Sequence, residues 1–227
     1  MIVMTGVSGG IGSALVGDLL SLDRVIGIYH HTTPNLIASD RLNLERVDLS
    51  DRGVIESLVA RQRSSLQRVT LIHCATVSID GLIARYSEAN WDRMMDVNLK
   101  GVFLLTQALL PAMIVERWGR IICLSSVVAE KGEVGAIAYG TSKAGLSGFS
   151  RGLAKEYGRF NITSNVFQLG FFEAGLGAKL PEEKRARIVE RIPSRRFGAT
   201  RDIAAAIEFV MRCDYVNGST ITIDGAL

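Results

Sequence analysis

Short runs of β-branched and apolar residues recur along the chain, separated by longer stretches in which apolar positions return every three or four residues. The runs "IVMT", "VIGIY", "VTLIHC", "RIICLSS", "ITSNVF" and "TITI" predict six strands. Helical spacing lies between them, from Ile11 to Leu22, around Asp51 to Ser65, from Trp91 to Arg117 and from Tyr139 to Tyr157. Near-continuous apolar strands alternating with helices imply a parallel sheet covered on both faces, reached by right-handed crossovers. The pattern predicts a three-layer, doubly wound α/β fold in one domain spanning 1–227. Only 170–198 breaks it, with Pro181, Pro193 and dense charge, and reads as a lid inserted before the last strand.

Composition sharpens this picture at a few points. A chain of 227 residues with 48% hydrophobic content can bury the core of one large domain. The formal charge of +3 and the absence of a like-charge block from the first half give no reason to expect a nucleic-acid partner. Only four residues precede Thr5, and no apolar run reaches the ~20 residues of a bilayer span, so a cytoplasmic protein without a membrane partner is expected. Cys74, Cys123 and Cys213 are odd in number and lack metal-ligand spacing; reduced thiols and no metal site are expected.

In doubly wound sheets ligands bind beyond the carboxyl ends of the strands, which directs attention to the turn after the first strand. It reads "TGVSGGIG": Gly6, Gly10 and Gly12 allow close backbone approach, and Ile11 opens a helix whose amino terminus favours an anion such as a phosphate. A glycine-rich turn that serves only tight packing is the alternative. Farther on, "AYGTSKAG" places Tyr139 and Lys143 one helical turn apart. A phenol with a reference pKa of ~10 is a sluggish acid or base near neutrality unless a neighbouring cation favours its ionised form. Ser126 ends the strand "IICLSS" at the carboxyl edge, and Asn98 in "DVNLKG" is a fourth polar group for the same edge.

Together these motifs resemble the short-chain dehydrogenase/reductase family over nearly the whole chain, from "TGVSGGIG" to "NGSTITIDGAL", and imply its Rossmann-type fold. By that resemblance Tyr139 is the general acid for carbonyl reduction and Ser126 steadies the substrate oxygen. Lys143 lowers the tyrosine pKa and holds the nicotinamide ribose, and Asn98 anchors a water in a proton relay. The resemblance also implies a dinucleotide site formed by Gly6, Ser8, Gly10, Ile11 and Gly12, by Asp48 and Leu49 beside the adenine, by Cys74 and Ala75, and by Gly170 and Phe172. Asp48 has a second reading as a helix cap. Two departures stand out: "HCAT" replaces the usual Asn-Asn-Ala-Gly, and "LGFFEA" keeps Gly170 but has Leu169 and Ala174 in place of a proline and a threonine. His73 is read as a strand histidine rather than a base or metal ligand.

The end of the second strand, "YHHTT", carries no acid to bind a ribose 2′-hydroxyl; His30 and His31 offer donors instead, which favours NADPH, with NAD as the other candidate. Among family members the pattern is most similar to 3-oxoacyl-acyl-carrier-protein reductases, which implies a 3-oxoacyl thioester linked to the carrier or to CoA. Reductases of sugars, polyketides or small ketones, and a non-catalytic dinucleotide sensor, are the alternatives. In those reductases a basic residue at the position of Arg117 helps dock the acidic carrier; a solubilising surface arginine is the other reading. Lys184, Arg185, Arg187, Arg191, Arg195 and Arg196 crowd the lid among Glu182, Glu183 and Glu190, as an anion-docking surface or as an ordinary solvated helix. The resemblance further implies a homotetramer built on the helices at 91–117 and 139–157.

Overall fold

In the computed structural model, which describes residues 1–227, seven strands pair in parallel in the order β3-β2-β1-β4-β5-β6-β7. They are β1 (Ile2–Thr5), β2 (Val25–Tyr29), β3 (Leu42–Arg46), β4 (Val69–His73), β5 (Gly119–Ser126), β6 (Ile162–Leu169) and β7 (Thr220–Ile223). Alternation along each strand sends side chains to opposite faces. Val3, Leu71, Ile121 and Val166 join one core with helices α2 (Arg52–Gln62), α4 (Gly101–Glu116) and α6 (Ile137–Tyr157), the last preceded by the one-turn α5 (Val128–Lys131). Ile2, Met4, Ile72, Ile122 and Phe167 join the other, with α1 (Gly10–Leu22) and α8 (Thr200–Arg212). The three predicted layers are present.

The six predicted strands form where the apolar runs stand. A seventh, β3, was not expected: "LNLER" is an edge strand with one fully buried residue, Leu42, so no apolar run announces it. No helix joins it to β2, so strand and helix do not alternate strictly there. Beyond the lid, α8 is also additional to the expected elements, although Ile203, Ile207 and Val210 have the spacing of one buried face. The helix expected from Trp91 to Arg117 begins earlier, as α3 (Glu88–Met95) capped by Ser87, and passes through a π-helical turn at Asp96–Lys100 before α4. By length and composition this run is apolar enough to cross a membrane, but half of its apolar stretch is buried, and Leu105, Leu109 and Met113 sit in the core.

Strand order reverses between β1 and β4, opening a crevice beyond their carboxyl ends. Thr5 closes its floor: its buried hydroxyl accepts the backbone N–H groups of Cys74 (3.1 Å) and Ala75 (3.0 Å), tying the end of β1 to the end of β4. The segment 170–198 folds as a closed excursion. Its ends meet through a bridge between Phe172 and Gly198, and its helix α7 (Glu182–Arg191) packs through Ile188 with Ile192 and Phe197 into a small separate core.

Candidate active site

Every residue expected to contact a cofactor, from Gly6 to Phe172, lines one cleft of about 1730 Å³ at the carboxyl edge, together with Ser126, Tyr139 and Lys143. The glycine turn forms its first wall. A Cβ on Gly12 would stand 2.1 Å from the Gly6 carbonyl oxygen, so α1 can start against the turn only with glycine there. A Cβ on Gly10 would stand 2.4 Å from the Gly175 nitrogen, because the backbone at Ala174–Gly175 packs onto the turn. That contact was not visible in the sequence. No side chain caps α1, so its first-turn N–H groups are available to an anion. The cradle fits a dinucleotide pyrophosphate.

At the far end of the cleft His30 and His31 follow β2, and their ring centroids lie 3.7 Å apart. Nε2 of His30 is 3.6 Å from the Asp48 carboxylate. Asp48 accepts the Ser50 N–H (2.9 Å) and hydroxyl (2.7 Å), while α2 is capped by Asp51; the cap reading of Asp48 is therefore set aside. Burial pushes the Asp48 carboxyl up, but the Ser50 donors and the two imidazoles outweigh it and hold the group below the usual carboxylate range.

Ser126, Tyr139 and Lys143 meet midway along the cleft. The Ser126 hydroxyl accepts the Val128 N–H at 3.2 Å and faces the same cleft as the Tyr139 phenol, whose pKa it draws down. Lys143 is buried, its Nζ 5.8 Å from the centre of the Tyr139 ring and donating to the Leu124 carbonyl at 2.8 Å. Burial pulls its pKa down to about 8. The phenol's pKa moves up rather than down: burial dominates, Ser126 opposes it, and Cys74 and Asp80 add to it. The net shift runs opposite to the lowering that the resemblance implies, because burial of the phenol outweighs the other groups around it. A raised pKa keeps the phenol protonated at neutral pH, the form an acid requires.

Asn98 sits in the π-helical turn behind this group, buried and outside the cleft lining. Its Oδ1 accepts from Val77 N (2.8 Å) and Thr76 Oγ1 (3.2 Å), and its Nδ2 donates to the Val77 carbonyl (2.9 Å) and to Ser142 Oγ (3.1 Å). Those four bonds exhaust the amide. Ser142 in turn donates to the Tyr139 carbonyl at 2.8 Å, so Asn98 braces the backbone that carries the phenol. The Asn98 side chain is thus held by protein partners on every side.

Burial keeps the two titratable residues of "HCAT" uncharged. His73 Nε2 lies 2.8 Å from Thr106 Oγ1, and burial, with the Lys143 charge second, takes its pKa down to about 3. It is neutral at physiological pH. Burial pushes the Cys74 thiol up to about 11, so it too stays neutral. Of the cations in 170–198, Lys184, Arg187 and Arg191 line the cleft, with Lys179 as an addition; Arg185, Arg195 and Arg196 do not, being tied to Glu173, to the Glu190 carbonyl (2.6 Å) and to Asp202 (3.2 Å). Arg187 is paired with Glu183 at 2.5 Å. Arg117 ends α4 with a left-handed φ of 49° and donates to the Arg159 carbonyl at 3.1 Å. It precedes β5, whereas Ser126 ends it; at ~3.3 Å per residue the strand separates them by roughly 25 Å.

Comparison with known proteins agrees with this arrangement. The chain is 36% identical over 233 residues to nodulation protein G of Rhizobium sp. (strain N33), covering 99% of this chain and 95% of that protein. It is 33% identical, over 99% of this chain and 96% of the relative, to the 3-oxoacyl-acyl-carrier-protein reductase of Salmonella typhimurium. The reductase of the same name from Aquifex aeolicus is 40% identical over 159 residues, which is 69% of this chain and 64% of that protein. A family model described as short chain dehydrogenase matches residues 1–185. With the glycine cradle, the Ser126–Tyr139–Lys143 cluster and these matches in agreement, the chain belongs to the short chain dehydrogenase family and is an NAD(P)-dependent oxidoreductase.

Proposed function

We propose that the protein reduces the carbonyl of a 3-oxoacyl thioester, linked to an acyl carrier protein or CoA, with NADPH. The convergence of Ser126, Tyr139 and Lys143 at the cleft edge carries this reading. A bound reduced nicotinamide supplies hydride to the carbonyl carbon. Tyr139 gives its proton to the carbonyl oxygen as that oxygen gains electrons, and Ser126 donates a hydrogen bond to the same atom. Lys143 stabilises the tyrosinate left behind and reaches the nicotinamide ribose. Asn98 acts as a positioning residue through Ser142 rather than as a catalytic one.

The glycine turn from Gly6 to Gly12, with Ser8, receives the pyrophosphate, Asp48 and Leu49 the adenine, and His30 and His31 the 2′-phosphate. Cys74, Ala75, Gly170 and Phe172 form the walls around the nicotinamide end, where "HCAT" and Ala174 supply fewer polar contacts than the family pattern. The cleft-facing cations Lys184 and Arg191 support an anionic substrate arm. Self-association through α4 and α6, as a homotetramer, is supported by Phe103 and Val115, which α4 leaves 42% and 81% exposed.

NADPH and NADH oxidation with a panel of 3-oxoacyl thioesters and neutral ketones tests the reading. Turnover of carrier- or CoA-linked substrates with NADPH is expected, and Lys184→Ala with Arg191→Ala should raise KM for these while leaving a neutral ketone nearly unaffected. Dinucleotide binding without turnover of any carbonyl would replace it with a sensor.

A further inference from the structure

The paired imidazoles at the ribose end of the cleft have a consequence for cofactor choice that rests on the NADPH reading above. The rings of His30 and His31 lie just past β2 with centroids 3.7 Å apart and planes tilted by 33°, and both line the cleft. The charged and titratable groups around them are few. Asp48 faces His30 at 3.6 Å from the segment after β3, and Arg46, the last residue of β3, donates its Nε to the His30 carbonyl at 3.1 Å without an acidic partner. Across the cleft the glycine turn offers the uncharged Ser8, and the residues following the pair, Thr32 and Thr33, are also uncharged.

Neutral imidazole has one N–H donor, whereas imidazolium has two donors and a full charge, and histidine is the side chain that makes this change between about pH 5 and 8. Two imidazoles in contact disfavour double protonation. The Asp48 carboxylate offsets one positive charge, and an incoming phosphate supplies what the second requires. A ribose 2′-hydroxyl supplies nothing comparable.

We propose that His30 and His31 form a proton-dependent receptor for the cofactor 2′-phosphate, so that preference for NADPH over NADH grows as pH falls through the imidazole range. Arg46 adds an attraction that does not vary with pH over this interval. By linkage, phosphate binding must raise the proton affinity of the pair by the factor by which protonation raises phosphate affinity.

The chain holds only three histidines, and His73 stays neutral, so imidazole resonances report the pair directly. The probes are adenosine 2′,5′-bisphosphate and adenosine 5′-monophosphate, with NMR titration of the imidazoles and calorimetric Kd values at about pH 6 and about pH 8. The bisphosphate should raise the titration midpoints of the pair by about half a pH unit or more and the monophosphate should not, which corresponds to a roughly 3-fold or larger gain in the Kd ratio at the lower pH. Protonation of the phosphate itself, near pH ~6, would act in the opposite direction and should be all that remains in the His30→Asn, His31→Asn variant. A bisphosphate that binds tighter than the monophosphate at both pH values yet leaves the imidazole midpoints unmoved overturns the proton-dependent receptor and leaves the NADPH reading standing. A bisphosphate that binds no tighter than the monophosphate at either pH overturns the NADPH reading itself.

Discussion

The two ends of the sheet both gather cations near aromatic rings, yet they use them differently. At the amino end Arg68 and Arg120 lie 4.8 and 4.6 Å from the centre of Trp118, and Arg120 also donates to the carbonyls of Gly119, Asn161 and Met211. Arg120 is buried and satisfied by fixed partners, and what it supplies is packing. At the carboxyl end Lys143 has one carbonyl partner, a pKa drawn down to about 8 and a phenol nearby whose hydroxyl opens on a cleft. A cation with bonding capacity left over beside a cleft is positioned for chemistry, whereas a saturated one holds the fold together.

Substitutions at the two ends should separate these roles. The largest effect is expected for Tyr139→Phe, which removes the proton donor and keeps the ring: steady-state carbonyl reduction should fall by at least ~100-fold while dinucleotide affinity, measured by fluorescence titration, is retained. Next is the pH profile. Lys143 carries its charge below its pKa and loses it above, so kcat/KM for reduction should decline as pH rises through about 8, toward 10-fold per unit. A flat profile from about pH 7 to 9.5 would show that the ammonium does not support the acid.

Asn98→Ala comes third. Loss of the brace to Ser142 and Val77 should lower kcat by roughly 10-fold through misplacement of Tyr139, with dinucleotide Kd unchanged within ~2-fold. An unchanged kcat would reduce Asn98 to a structural amide. The smallest catalytic effect belongs to the amino end: Trp118→Ala should cost about 2 kcal/mol of stability, seen as a Tm lowered by several degrees, with kcat/KM near that of the parent.

Much of this was legible in the sequence because the informative signals are local. Apolar runs gave six of the strands, the glycine turn and the 139/143 spacing marked the cleft, and Ser126 stood at a strand end. What escaped depends on tertiary contact. β3 is an edge strand too polar to announce itself; the saturation of Asn98 requires Val77, Thr76 and Ser142 to be brought to it by packing. The seating of Gly175 on Gly10 joins residues far apart in sequence. The lid cations illustrate the same limit, since composition counts Arg195 and Arg196 with Lys184 and Arg191, and only the fold turns the second pair toward the cleft. The direction of the Tyr139 shift likewise depends on burial that spacing does not reveal.

Backbone hydrogen exchange with and without saturating NADP tests the division between the two ends most directly. Slowed exchange is predicted in the glycine turn and early α1, after β2, around Cys74–Val77, in early α6 and in the lid from 170 to 180, with no change around Arg68, Trp118 to Ile121 or the end of α8. Slowing at the amino end of the sheet, or no slowing at either end under saturating dinucleotide, would contradict the assignment of the cleft.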